Sequence, residues 1–309
     1  MNSNNFVTLF QSVEFSKNYL QQSYEKKDIQ AANELAFKNS YSFVYYIKLG
    51  DTYFHQAIQS PTTIKPVLFF YGLSHWLKAA LLTVDPEYPA NTQVLAHGVS
   101  TRKRKKQGYR FLSDEIKVQK DGFFPYLSAQ LFQVKQLTGE KYKMRHLLMS
   151  IPELKPLFQK LEKEDPLHQV KQEKNKLISS NELLKKLRMS PKRYEQMVKE
   201  KTKSTLTCIE NEDLVELNFA DNIDKHFPLW KSIHGDLYIP SQLPMYWPMP
   251  EILTHFLLLY NLSMICRYEA EWWGEVLYSF SSNDLPYIET FLTCVEEKTT
   301  SLMQNILIT

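Results

Sequence analysis

The stretch ILTHFLLLYNLSMIC, residues 252–266, is apolar on every side when wound as a helix. A helix without a polar face has to be enclosed, by protein or by lipid. This one falls short of the roughly 20 residues that cross a bilayer, and it carries His255 and Asn261. The chain therefore has to supply a shell of other elements around a central helix. Its 309 residues suffice for one large domain or two ordinary ones.

Other segments share the helical period. Residues 39–59 repeat aromatic and aliphatic side chains at three- and four-residue steps. After the turn signal Ser60-Pro61, residues 60–84 run apolar until Asp85-Pro86. On that helix Phe70, Ser74, Leu77 and Leu81 share a face and Lys78 lies one step around. Further helices are predicted at 125–137, at 144–161 with an interruption near Pro152, as one long element over 249–277, and at 281–307 behind a Ser282 or Asn283 cap. Residues 162–244 differ in texture, being polar and lysine-rich. They hold a helix pair over 180–200, with Ser180 and Ser190 as caps and Pro191 in a first turn. Alternating segments at 204–210, 213–219 and 236–240 read as strands, with His234-Gly235-Asp236 as a turn. The expected fold is mainly α. Residues 1–161 and 247–309 form a helical bundle body, and 162–246 form an inserted small α+β subdomain.

Bulk properties exclude several classes. A net charge of +3 and a 23% charged composition do not by themselves predict a nucleic-acid surface. Cys208, Cys266 and Cys294 are odd in number and form no CxxC, so reduced thiols in a cytoplasmic protein are expected. The N-terminal residues lack the pattern of a secretory signal, and no membrane association is expected. Phosphate-loop, dinucleotide-binding, nucleophile-elbow and HExxH motifs are absent, and the histidines lack metal-ligand spacing. No cofactor and no metal are therefore expected.

Three places could carry chemistry. In RYEAEWW, Arg267 and Glu271 stand four apart and can pair along one helix, while Glu269 points elsewhere. Arg267 with Tyr268 and Glu269 is either an internal brace or the charged edge of a pocket suited to phosphate or carboxylate. In LAHGVS, Gly98 could cap a helix end with His97 near its carbonyls. Alternatively His97 beside Ser100 is a proton donor or phosphate contact. The run that follows, Arg102, Lys103, Arg104, Lys105 and Lys106, is a solvated loop or a phosphate-backbone contact. Lys78 interrupts an otherwise apolar helix, as a snorkelling rim residue or as a further ligand contact.

Three blocks in this order, FFYGLSHWLKAALL with Lys78, LAHGVS with His97, and HFLLLYNLSMICRYEAEWW with Arg267, Tyr268 and Trp272, resemble the YaaC-like family of Bacillus and related bacteria. The resemblance spans most of the chain and is weakest in the polar insert. The element from Ser263 through Trp272 is its most specific part. It implies a family label and no activity. A looser similarity is to HEPN-type helical domains, some of which cut RNA with an arginine followed four to six residues later by a histidine. Here Arg145 abuts His146 directly, so that dyad is missing.

Three functions are compatible with these features. The leading expectation is a non-catalytic protein that binds a nucleotide or RNA through Lys78, His97, Ser100, Arg102, Lys103, Arg104, Arg267, Tyr268 and Glu269. The alternatives are a nuclease or phosphate-transfer enzyme using His97 and Arg267, and a structural module whose aromatic-rich helices pair with a second copy or another subunit.

Overall fold

The computed structural model describes residues 5–101, 109–135, 137–279 and 282–308, which form a mainly α structure with two small antiparallel sheets. Helix α1 (Asn5–Leu9) precedes α2 (Val13–Glu25), where the Ser12 hydroxyl caps by accepting from the Phe15 N–H. Helices α3 (Ala32–Gln59) and α4 (Lys65–Leu82) then pack as an antiparallel pair. Gly50 makes their close approach possible, because a Cβ there would lie 2.7 Å from Nε1 of Trp76. The Trp76 indole stacks on Phe54 and its N–H donates to the Ile47 carbonyl at 3.2 Å.

Strands β1 (Val99–Thr101), β2 (Glu115–Val118) and β3 (Lys141–Lys143) form a three-stranded sheet in that order, with α5 (Phe123–Gln130) between β2 and β3 in sequence. The turn before β1 is clamped. Gly98 (φ +75°) and Gly122 (φ +124°) meet backbone to backbone, and a Cβ on Gly98 would lie 2.5 Å from Cδ of Pro125. Phe123 N–H donates to Ala96 O at 2.7 Å and Phe124 N–H to His97 O at 3.1 Å. Gly98 thus takes the left-handed conformation at a strand entry, with only a 3-10 turn (Gln93–Leu95) ahead of it.

The helix expected over 144–161 is divided into α6 (Met144–Met149), a 3-10 turn at Pro152–Leu154, α7 (Lys155–Leu157) and a π turn at Phe158–Glu162. Two prolines explain the division, since Pro152 and Pro156 each open a new short element. Next come β4 (Leu167–Glu173), β5 (Lys176–Ser180), α8 (Glu182–Leu187), α9 (Pro191–Thr202), β6 (Thr207–Glu210), β7 (Leu214–Asn218), β8 (Trp230–Lys231) and β9 (Leu237–Pro240). These strands build an antiparallel sheet of order β6-β7-β5-β4-β9-β8. Leu177, Leu217 and Ile239 from the sheet meet Leu184, Tyr194 and Val198 from α8 and α9 in a buried cluster separate from the main core.

The segment expected as one helix over 249–277 is two, α10 (Glu251–Tyr268) and α11 (Ala270–Tyr278). Glu269 leaves the helical conformation between them, at φ −123° and ψ 52°. The bend turns both indoles onto backbone carbonyls, Trp272 Nε1 to Tyr109 O at 3.3 Å and Trp273 Nε1 to Thr63 O at 2.9 Å. Helix α12 (Asp284–Ile308) closes the body. Residues Glu251 to Ser263 of α10 are all buried, packed against α4, α6 and α12. Among the described residues no helix is long and apolar enough to cross a membrane.

The interior of this body contains charge. The Lys298 ammonium on α12 contacts Glu251 Oε1 on α10 at 2.5 Å, Glu153 Oε2 at 3.1 Å and the Lys231 carbonyl of β8 at 2.8 Å. Burial alone would raise the Glu251 carboxyl, yet the His255 hydrogen bond and the Lys298 charge hold it below its ordinary value. One cation thereby ties two core helices, the 3-10 turn and the second sheet. Replacing Lys298 with Met strands two carboxylates in the interior, and denaturant unfolding should show a loss of roughly 3–5 kcal/mol.

Candidate functional site: a cationic groove lined by aromatic rings

Helix α4 is buried on most sides, but Tyr71, His75 and Lys78 follow one another along a half-exposed face. Facing them are Tyr46 and Tyr53, seven residues apart on α3. The His75 ring lies between these tyrosines, its centroid 5.9 Å from Tyr46 and 5.7 Å from Tyr53, the latter pair inclined by only 9°. Lys78 Nζ stands 5.8 Å from the Tyr46 ring centroid, within cation–π range. Tyr71 lies 5.7 Å from Tyr53.

Two further elements complete the groove. His97, presented by the clamped turn before β1, sets its ring edge-on to Phe70 of α4 at 5.0 Å and to Tyr260 of α10 at 5.5 Å. About two turns beyond Tyr260 on the same helix is Arg267. Its Nη1–H donates to the Tyr71 hydroxyl at 3.4 Å and its Nε–H to the Ser263 carbonyl at 3.1 Å. Tyr268, beside it, is exposed and places its ring 5.1 Å from the guanidinium carbon. Residues from three parts of the chain, 78, 97 and 267, thus share one location.

The electrostatics are one-sided. Among the described residues neither Lys78 nor Arg267 has a carboxylate partner. Arg267 makes no ion pair with Glu271 or Glu269, because the helix break at Glu269 separates them from the regular four-residue spacing. Burial pushes the Lys78 ammonium down from its ordinary value. His97 is lowered by burial and then by the charges of Arg267 and Lys78, and His75 falls to about 4 through burial and the charge of Lys78. Both imidazoles are therefore neutral near pH 7. Nδ1 of His75 is buried without a hydrogen-bond partner. Such a surface can attract an anion and stack a planar group, and its histidines can accept or release a proton.

The remaining candidates lie elsewhere or nearby. The Ser100 hydroxyl accepts from Gln119 Nε2 at 2.6 Å, on the three-stranded sheet. Glu269 is half-buried beside Tyr109, whose hydroxyl is held far above its usual range by burial and then by Asp114, Asp284 and Glu269. Arg102, Lys103, Arg104, Lys105 and Lys106 fall outside the described residues. Sequence reasoning overlooks the rings of Tyr46, Tyr53, Tyr71 and Tyr260 and takes His75, next to Trp76, for a packed or surface histidine. Tyr46 and Tyr53 could have been found, since they recur after seven residues on the edge of an otherwise buried stripe. It also overlooked Glu251, His255 and Cys294, whose donor atoms lie within 4.8 Å of one another and could hold a metal ion. The Lys298 ammonium, 2.5 Å from Glu251, already brings a positive charge to that cluster.

The family model of the YaaC-like Protein matches residues 8–307, and the chain belongs to that family. No curated protein and no solved structure matches. The looser likeness to HEPN-type domains gains no support from either comparison.

The lowered imidazoles fix the sign of an acid response. Between the ordinary histidine value near 6.5 and about 4, the unfolded chain binds protons that His75 in the folded chain does not. Stability should therefore fall as pH drops through that window. Urea midpoints should be lower at about pH 5 than at about pH 7, and His75→Phe should flatten the difference.

Proposed function

We propose that this YaaC-like protein binds a phosphate-bearing ligand, a nucleotide or RNA, in the groove between α3, α4, α10 and the His97 turn. The observation that carries the reading is the pair of cations, Lys78 and Arg267, left without a carboxylate partner among the described residues and both acting on His97. A half-buried charge is costly unless it is matched. The lowering of Lys78 expresses that cost, and a phosphate would remove it by supplying the missing negative charge. The surrounding tyrosines suit the planar part of a nucleotide. In sequence the basic run from Arg102 to Lys106 begins five residues after His97, so it is a further candidate for phosphate contact.

Binding is preferred to turnover. The His97 ring meets the rings of Phe70 and Tyr260, and no described carboxylate orients its second nitrogen as general-base catalysis usually requires. In the same proposal the helices of 1–161 and 247–309 work as one bundle-like body in the cytoplasm. Residues 162–246, many of whose buried apolar residues form a separate cluster, are an inserted α+β unit.

The test is equilibrium binding of ADP by calorimetry at low salt. Lys78→Met and Arg267→Met should each weaken it by about tenfold to a hundredfold, with thermal unfolding as the control for folding. A wild-type protein that binds no phosphate compound, or variants that bind as well as wild type, would overturn the reading.

A further inference from the structure

Helix α3 carries a second feature that leads into the groove. Phe37, Tyr41, Tyr45, Leu49 and Tyr53 follow at four-residue intervals and so form one continuous ridge on the helix surface. The first four are exposed, Phe37 to 66%, Tyr41 to 53%, Tyr45 to 62% and Leu49 to 43%. The fifth, Tyr53, stacks on His75 inside the groove. Three exposed aromatic rings in one row form a contiguous patch, and such a patch marks a contact site. Tyr41 and Tyr45 stand 6.3 Å apart, centroid to centroid. That is about the rise of four residues of α-helix.

Cations and carboxylates balance along the ridge itself, so the preference for a polyanion over an apolar peptide comes from Lys78 and Arg267 in the groove it leads into. Lys17 Nζ stands 5.9 Å from the Phe37 ring, and Lys38 and Lys48 flank the row on its two sides. Carboxylates also occur, Glu34 at the start of the helix, Glu87 in a 4.0 Å pair with Lys38, and Asp51, which faces His55 at 3.3 Å. Within the groove the two cations sit at different levels. Lys78 lies beside Tyr46, whereas Arg267 reaches Tyr71, the neighbour of Tyr53. Seven residues of α3 separate Tyr46 from Tyr53, or roughly 10 Å along its axis. Cations staggered in this way along the groove suit a ligand with more than one phosphate.

We infer that the ligand of the groove is a single-stranded nucleic acid, whose phosphates pass Lys78, His97 and Arg267 while its leading bases stack on Tyr45, Tyr41 and Phe37. The inference rests on the phosphate-binding reading of the groove and adds the ridge to it. Stacking of bases on exposed rings tolerates any sequence, so recognition would follow strand character and length more than sequence.

The test uses the full chain and two probes, ADP and a fluorescently labelled single-stranded RNA of about twelve nucleotides. The variant Phe37→Ala/Tyr41→Ala/Tyr45→Ala alters only exposed side chains, and a thermal melt confirms that it folds. It should bind the RNA at least about tenfold more weakly than wild type, while its affinity for ADP stays the same. An unchanged RNA affinity, with Arg267→Met still weakening both probes, overturns the ridge and leaves the groove reading intact. Binding of neither probe by wild type overturns both. Self-association that the triple variant abolishes, in a protein that ignores RNA, assigns the ridge to a protein contact and overturns the inference.

Discussion

The structure depends on a helix enclosed on all sides. Because α10 has no solvent face over most of its length, its polar side chains look for partners inside the protein, and Thr254 Oγ1 and Asn261 Oδ1 are buried without one among the described residues. Glu251 meets Lys298, His255 faces Glu251 and the Thr299 hydroxyl, Asn261 donates to Asp114 at 3.1 Å, and the Ser263 hydroxyl donates to the Tyr260 carbonyl. Lys298 and Thr299 come from α12 and Asp114 from the short turn before β2, so elements distant in sequence are held to one core. Only at its C-terminal end does the helix reach the surface, and there Arg267 stands without a charged partner among the described residues.

Lys298 and Lys78 show how environment separates a structural cation from an available one. Both are lysines on helices of the same body, and burial depresses both. At Lys298 the opposing charges of Glu251 and Glu153 outweigh burial and raise the ammonium above its ordinary value. At Lys78 burial is unopposed and the ammonium is lowered. The first lysine has already found its counterions. The second has the Tyr46 ring and the solvent, which is the condition of a group that can still gain from binding.

Much of the framework was legible from pattern. The run over 252–266 demanded burial, and the chain buries it as α10. The helical period placed α3, α4 and α12 to within a few residues at most ends, since wide apolar stripes and proline or serine punctuation are local signals. The hairpin β4–β5 was not legible. Only Leu167, Val170, Leu177 and Ser179 of its two strands are buried, and the lysines and glutamines between them hide the alternation. The break at Glu269 was equally hidden, because Arg-Tyr-Glu-Ala-Glu contains no helix breaker and the bend is set by the tertiary partners of Trp272 and Trp273.

The candidate site divides in the same way. Lys78, His97 and Arg267 stood out in sequence because each is a polar interruption of an apolar context. Their meeting required the fold, in which the antiparallel α3–α4 pair supplies one wall, α10 another, and the clamped glycine turn the third. The aromatic lining escaped notice for a simple reason. In a chain with 18 tyrosines and 18 phenylalanines, no single ring is distinctive until its neighbours are known. What separates Tyr46, Tyr53 and Tyr71 from the core aromatics is their half-exposure around His75, a property of how far α3 stands from α4. Gly50 sets that distance by admitting Trp76 on the buried side. The shape of the groove is thus decided by a residue that does not line it.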